Sequence, residues 1–332
     1  MSDPAVLRHV IASITPASVA HGEAARRAVA AAGAPLLERL AAAIGGAQHT
    51  GRPRTQRRAI IVCAGDHGVG DPGVSLGPAH PTVVAAHAIV DGSAALAQIA
   101  RAARAPIVLV DAGAREPTAL PASAIRLGGG PSHDLMAGPA MTIVDAAMAL
   151  EAGIALAVSL ADDAAVAGGN APRGPDLLAV GALGVGADVA SAALLGAAMG
   201  TPPTGLGDPL AEAAGARGAA LAGASGLELL AAFGGPETGV LAGVMLASAS
   251  TNTPVILDGY ATGAAALVAA ALAPNATGYL VAAHAGSFTH GRILAHLGLH
   301  PVFDIGLGHG EGTGAAMTFA LIDHMAALVR QG

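Results

Sequence analysis

The 332-residue sequence contains no lysine, no tryptophan and a single cysteine, Cys63. All 16 basic residues are arginine, so any mechanism built on a lysine amine, such as a Schiff base, is excluded. One cysteine excludes an internal disulfide framework, and its place in the apolar run AIIVCAG (59–65) makes it a core residue. Aromatic residues make up 2% of the chain and hydrophobic ones 53%, mostly Ala, Val and Leu. The core therefore has to be filled by small side chains, with backbones packed close together.

Charge and hydropathy exclude further classes. A formal charge of −7 without a long basic run leaves nothing to neutralise a phosphate backbone, which argues against nucleic acid as a partner. The short cluster GRPRTQRRAI (51–60) reads as a solvated connection leading into a strand. Mean hydropathy is +0.59, but Gly, Asp, Asn, His or Pro is expected to interrupt every apolar run before the roughly 18 residues a bilayer crossing needs. The beginning, MSDPAVLRHVIAS, lacks a basic region followed by an apolar one. The expectation is a cytoplasmic, soluble protein with no membrane partner.

Short β-rich runs alternate with Ala-rich helical stretches, the pattern of a parallel sheet covered by helices. Strands are predicted at 59–65, 105–113, 177–184, 253–259, 278–286 and 300–306, and helices include 92–105, 145–165 and 263–273. The fold class expected is α/β: a doubly wound, mainly parallel sheet with helices on both faces. The first 50 residues and the stretch 209–235 read as helical and are expected to form a smaller portion beside the α/β domain (51–332), where they could pack together.

In such sheets ligands sit beyond the carboxyl ends of the strands, which nominates five loops. GALGVGADV (181–189) presents backbone N–H groups at a helix start, suited to a phosphate, through Gly184 and Gly186. Asp188, in the first helical turn, reads as a cap that would repel a phosphate lying close to it. As a dinucleotide fingerprint the loop is weak, because no acidic residue ends a following strand about 20 residues on. GDHGVGDPGVS (65–75) offers Asp66, His67 and Asp71, either as metal ligands or as hydrogen-bonding groups that hold the loop. A metal site needs three or four ligands with partners elsewhere in the chain, so no metal is expected. The remaining loops are DGYATG (258–263), AHAGSFTHG (283–291) and GLGHGEGTG (306–314).

The last of these holds one carboxylate, Glu311, among five glycines. A glutamate at a helix entry can simply favour the N-terminal dipole. Glycines on both sides also clear space for a flat ligand, which suits a general base facing a planar substrate.

AGDHGV followed by GVS, AGPAMT (137–142), LDGYATGAAAL (257–267) and HLGLHPVFDIGLGHGEGTGAAM (296–317) occur in the order of similar segments in one family. The chain resembles the nicotinate-nucleotide:dimethylbenzimidazole phosphoribosyltransferases, which make the lower-ligand nucleotide of cobalamin, from about residue 59 to the end. The resemblance implies phosphoribosyl transfer from nicotinate mononucleotide to an aromatic base, without a cofactor, in a homodimer. It implies Glu311 as the base that takes the N–H proton of the benzimidazole. Asp66, His67, Ser75, His87, His309, Gly310 and Gly312 would lie on the acceptor side, and Gly184, Gly186, Asp188 and Arg217 near the ribose phosphate.

The chain also departs from the family pattern. Ala182 stands where the family has a glutamate, Ala187-Asp188-Val189 where it has Asn-Thr-Thr, and Asp134 where it has an asparagine; the phosphate-region lysine is absent, and Arg217 is an unaligned substitute. Two alternatives therefore stay open: a paralogue using another ribosyl donor or aromatic acceptor, and a nucleotide- or azole-binding protein without turnover.

Overall fold

The structure, a computed structural model, describes residues 4–71, 73–162, 174–308 and 310–330. Six strands, β1 (Arg58–Gly65), β2 (Ile107–Gly113), β3 (Ile125–Arg126), β4 (Leu177–Leu183), β5 (Val255–Leu257) and β6 (Leu280–Ala282), form one sheet in the order β3-β2-β1-β4-β5-β6. Every pairing is parallel. The α-helices among the described residues are α1 (Ala5–Ser13), α2 (Val19–Val29), α3 (Pro35–Ala47), α4 (Pro81–Asp91), α5 (Ala95–Ala102), α6 (Ile143–Asp162) and α7 (Ala187–Met199). They continue as α8 (Pro209–Ala219), α9 (Gly226–Phe233), α10 (Pro236–Ser250), α11 (Gly259–Leu272), α12 (Phe288–His296) and α13 (Thr313–Val329).

All of β1 is buried, as expected of a parallel strand covered on both faces. Its side chains alternate between two cores. Ile61 and Cys63 join α1, α6, α7, α9, α10 and α11 on one face, while Ile60, Val62 and Ala64 join α2, α3, α4, α5 and α13 on the other. The doubly wound α/β fold is thus the one its alternation of strands and helices implied. Burial raises the Cys63 thiol above its ordinary range, with Glu237 adding to the shift, consistent with a packing role.

The N-terminal helices divide between the faces. Helix α1 packs on α6 and α10, whereas α2 and α3 pack on each other and on α13. In the 209–235 stretch, α8 lies along α7, and α9 packs on α6, α7 and α11.

Two expectations need correction. The segment 300–306 is not a strand: Pro301 has no N–H to donate, and only Val302 and Phe303 donate, to the Ala282 and Ala283 carbonyls at the end of β6. The sixth strand is instead β3, two residues bonded to the edge of β2. Pro81–Ala102 and Ile143–Leu160 are long and apolar enough, by length and composition, to cross a bilayer, although His87, Asp91 and Gly92 interrupt the first and Asp145 and Gly153 the second. The first divides into α4 and α5 at 92–94. The second continues straight through Gly153, where a Cβ would overlap the Val240 carbonyl oxygen of α10. That glycine lets α6 lie close against α10, as a core of small residues requires.

Candidate active site

The strand order reverses between β1 and β4, and their carboxyl ends open the crevice where ligands bind in sheets of this kind. Three chain segments meet there. Asp66, directly after β1, is 3% exposed. Its Oδ1 accepts from the Thr82 hydroxyl at 2.6 Å and from the Val185 amide at 2.9 Å, and its Oδ2 accepts from the Arg115 amide at 2.8 Å. One carboxylate therefore ties the loop after β1 to the loops after β2 and β4 and to the first turn of α4.

On the other side of β4 lies the loop carrying Glu311. The Ala182 amide donates to the Gly310 carbonyl at 3.1 Å, and Gly181 is so close to the Glu311 backbone that a Cβ there would overlap it. The Gly312 and Gly314 amides donate to Asp258 Oδ2 at 2.7 and 3.0 Å. Glu311 itself is half-buried, and its carboxylate has no hydrogen-bond partner among the described residues.

The glycines have a different cause from the one expected. A Cβ on Gly314 would stand 2.5 Å from His284 Cδ2 and 2.7 Å from Asp258 Oδ1, one on Gly310 would meet the Asp258 carbonyl at 2.7 Å, and Gly312 has a φ of +105°. These three serve the fit of the loop against its own protein. At the exposed Gly308, by contrast, a Cβ would meet nothing within 4 Å and φ is not positive, so no contact within the protein requires a glycine there.

His67 is bonded within the protein on the same side as Asp66. It is 2% exposed, with Nε2 3.0 Å from Glu237 Oε1 at the start of α10 and Nδ1 3.4 Å from the Ser132 hydroxyl. Burial by itself would lower the imidazole's pKa, but the adjacent Glu237 carboxylate outweighs it and holds the pKa above its ordinary value. For Glu237 burial acts upward, and the imidazolium together with the Thr238 hydroxyl brings the net shift down. The polar atoms of Asp66 and His67 are thus engaged within the protein, as groups that hold the loop. Among the described residues no cluster of three or more His, Cys, Asp and Glu could hold a metal.

Other expected site residues are dispersed. Gly184 and Gly186 stand at the end of β4, with Gly186 (φ +84°) as the N-cap of α7. Asp188 is exposed in the first turn and does not cap the helix. Ser75 donates to Glu116 Oε1 at 2.6 Å, and His87 Nε2 lies 2.9 Å from the Ala119 carbonyl oxygen, so both turn to the segment after β2. Arg217, exposed in the last turn of α8, donates to the Met136 carbonyl at 3.1 Å. His309 lies outside the described residues.

The sequence reading missed the groups that organise this end of the sheet: Glu237, Asp258 and His284. Asp258 and His284 fall in the nominated loops DGYATG and AHAGSFTHG, but nothing local indicates that they meet. Their Oδ1–Nε2 separation is 2.5 Å, and Asp258 is fully buried.

The chain is also similar to proteins already known. Residues 16–331 match the profile of a phosphoribosyltransferase family. The nicotinate-nucleotide–dimethylbenzimidazole phosphoribosyltransferase of Roseiflexus sp. (strain RS-1) is 37% identical over 318 residues, covering 89% of this chain and 87% of its own length. The enzyme of the same name from Desulforudis audaxviator is 34% identical over 308 residues, covering 88% and 84%. A solved structure of such an enzyme from Thermus thermophilus superposes with a TM-score of 0.72 at 29% identity, over 99% of this chain and 96% of that one. A phosphoribosyltransferase profile over nearly the whole chain, relatives of one name and a shared parallel sheet agree: the chain belongs to the nicotinate-nucleotide–dimethylbenzimidazole phosphoribosyltransferase family.

Proposed function

We propose that this chain transfers the phosphoribosyl group of nicotinate mononucleotide to dimethylbenzimidazole or a close aromatic relative, with Glu311 as general base. The observation that carries the assignment of the base is the Glu311 carboxylate itself: half-buried at the switch point, anchored through its backbone and unpaired among the described residues.

In the proposed reaction one benzimidazole nitrogen attacks C1′ of the ribose while the bond from C1′ to the pyridinium nitrogen breaks. The electron pair of that bond stays on nicotinate, whose ring leaves uncharged. Attack from the opposite face inverts C1′ and gives the α-nucleotide. The N–H proton of the acceptor passes to Glu311. The leaving group is already activated by its positive charge, so the protein has to position the two substrates, take one proton and hold the phosphate.

For the phosphate, the open N-terminus of α7 behind Gly184 and Gly186 supplies backbone amides and the positive end of a helix dipole. Arg217 is the cation we assign to that side. Ser75 and His87 are assigned to the rim of the acceptor side, and a cytoplasmic homodimer is the form in which we expect the enzyme to work.

The test is nicotinate release, followed by chromatography, from the purified protein with nicotinate mononucleotide and dimethylbenzimidazole. Wild type releases nicotinate, and Glu311→Gln lowers turnover by roughly 10²–10⁴-fold, the range of general-base catalysis. Full activity in a folded Glu311→Gln protein would remove Glu311 from the role.

A further inference from the structure

We infer that Asp258, fixed by His284, is a positioning residue for the Glu311 base. The inference rests on the assignment of Glu311 as that base. Asp258 occupies the N-cap position of α11, where an aspartate ordinarily accepts from the first amides of its own helix, yet it makes no such bond. Thr262 is used at that end instead, its hydroxyl accepting from the Asp258 amide and donating to the Asp258 carbonyl, each at 2.9 Å.

The Asp258 side chain is thereby free to cap a different helix. Its Oδ2 accepts the Gly312 and Gly314 amides at the start of α13, a helix whose own N-cap, Gly312, has no side chain to offer. Its Oδ1 lies 2.5 Å from His284 Nε2. The His284 ring is held in turn, face to face with Phe303 at 6.5 Å and edge-on to His290 at 5.6 Å between ring centres.

The two peptide planes that flank Glu311 are consequently both pinned. The plane between Gly310 and Glu311 is held to β4 through the Ala182 amide. The plane between Glu311 and Gly312 is held to Asp258. With its backbone fixed at both ends, the base keeps only side-chain rotation. Catalysis is sensitive to such placement, since a shift of about 1 Å in a reacting group costs on the order of 10²-fold in rate.

The test is a double-mutant cycle on nicotinate release. Asp258→Asn, which removes the charge that holds the Gly312 and Gly314 amides and keeps a single acceptor oxygen, is expected to lower kcat about 10- to 100-fold. KM for nicotinate mononucleotide should stay within about threefold, because the base does not bind the donor. In the Glu311→Gln background the same change is expected to add less than about twofold, because there is no base left to misplace. An unchanged kcat, or losses that multiply in the double variant, would overturn the inference.

His284→Gln keeps the Asp258 charge but removes the imidazole that fixes its carboxylate beneath the Gly312 and Gly314 amides. If Asp258→Asn gives no cooperative melting transition, this variant is judged by the same kcat, KM and double-variant criteria. Glu311→Gln alone separates the two ideas. If it is fully active the base assignment fails; if it is inactive while Asp258→Asn in a folded protein keeps full turnover, only the positioning role fails.

Discussion

His67 Nε2 and Glu237 Oε1 lie 3.0 Å apart beneath the crevice, in side chains that are 0% and 2% exposed. This pair joins the loop after β1 to the start of α10. The raised pKa of His67 contributes stability that is complete below the ordinary imidazole value of 6.5 and is lost as pH rises through the raised one. The lowered pKa of Glu237 contributes stability that is complete above 4.5 and is lost as pH falls through the lowered one.

Glu237→Gln should therefore destabilise the protein most between about pH 4.5 and 6.5, and less on either side. Breaking one partner of a buried ion pair costs about 3–5 kcal/mol. Melting curves of wild type and variant across pH 4–9 check both the size and the shape, and a difference independent of pH would mean that the pair is not charged.

His290 titrates in the opposite sense. Burial, aided by His284, pushes its pKa down to about 4. The folded state keeps the ring neutral, so the stability it contributes is complete above 6.5 and is lost as pH falls toward 4. His290→Leu should flatten that acid slope, a difference on the order of 3 kcal/mol for a shift of this size. At pH 8 the variant should be as stable as wild type or more so, since neither ring nitrogen of His290 has a hydrogen-bond partner.

Two glycines beside Glu311 separate packing from ligand clearance. Gly314→Ala, pressed against His284 and Asp258, should cost about 1–3 kcal/mol of stability. Gly308→Ala, in open space, should leave the melting temperature unchanged and raise KM for the aromatic acceptor. Unchanged kinetics in Gly308→Ala would leave none of these glycines a role in clearance.

Asp66→Asn puts an N–H donor where the Val185 and Arg115 amides and the Thr82 hydroxyl all donate. The mismatch should cost about 1–3 kcal/mol. It should also speed hydrogen exchange at the Val185 and Arg115 amides, as read by NMR or mass spectrometry. Slow exchange there in a folded variant would mean that the loops are held by other contacts.

What was legible in the sequence was what depends on periodicity and on contiguous motifs. The runs AIIVCAG and LLAVGALG become the two central strands, because a strand buried on both faces needs an unbroken apolar stretch. Glu311 could be singled out because its glycines are adjacent in the chain. The composition also carried through to packing, with glycine at the α6–α10 crossing where backbones touch.

Only the tertiary structure decided which polar groups meet. Asp258 reaches amides 54 and 56 residues away, and His67 meets a carboxylate 170 residues away. No local spacing encodes such contacts; they arise where the loops after β1, β5 and β6 and the starts of α10 and α13 converge at one end of the sheet. The same end of the sheet supplies partners for Asp66 and His67 from distant loops, because buried polar groups must be paired. The weak sixth strand was lost for a related reason. Two residues at a sheet edge carry no periodic signal, and Ile125 and Arg126 are strand only because β2 offers them an edge to pair with.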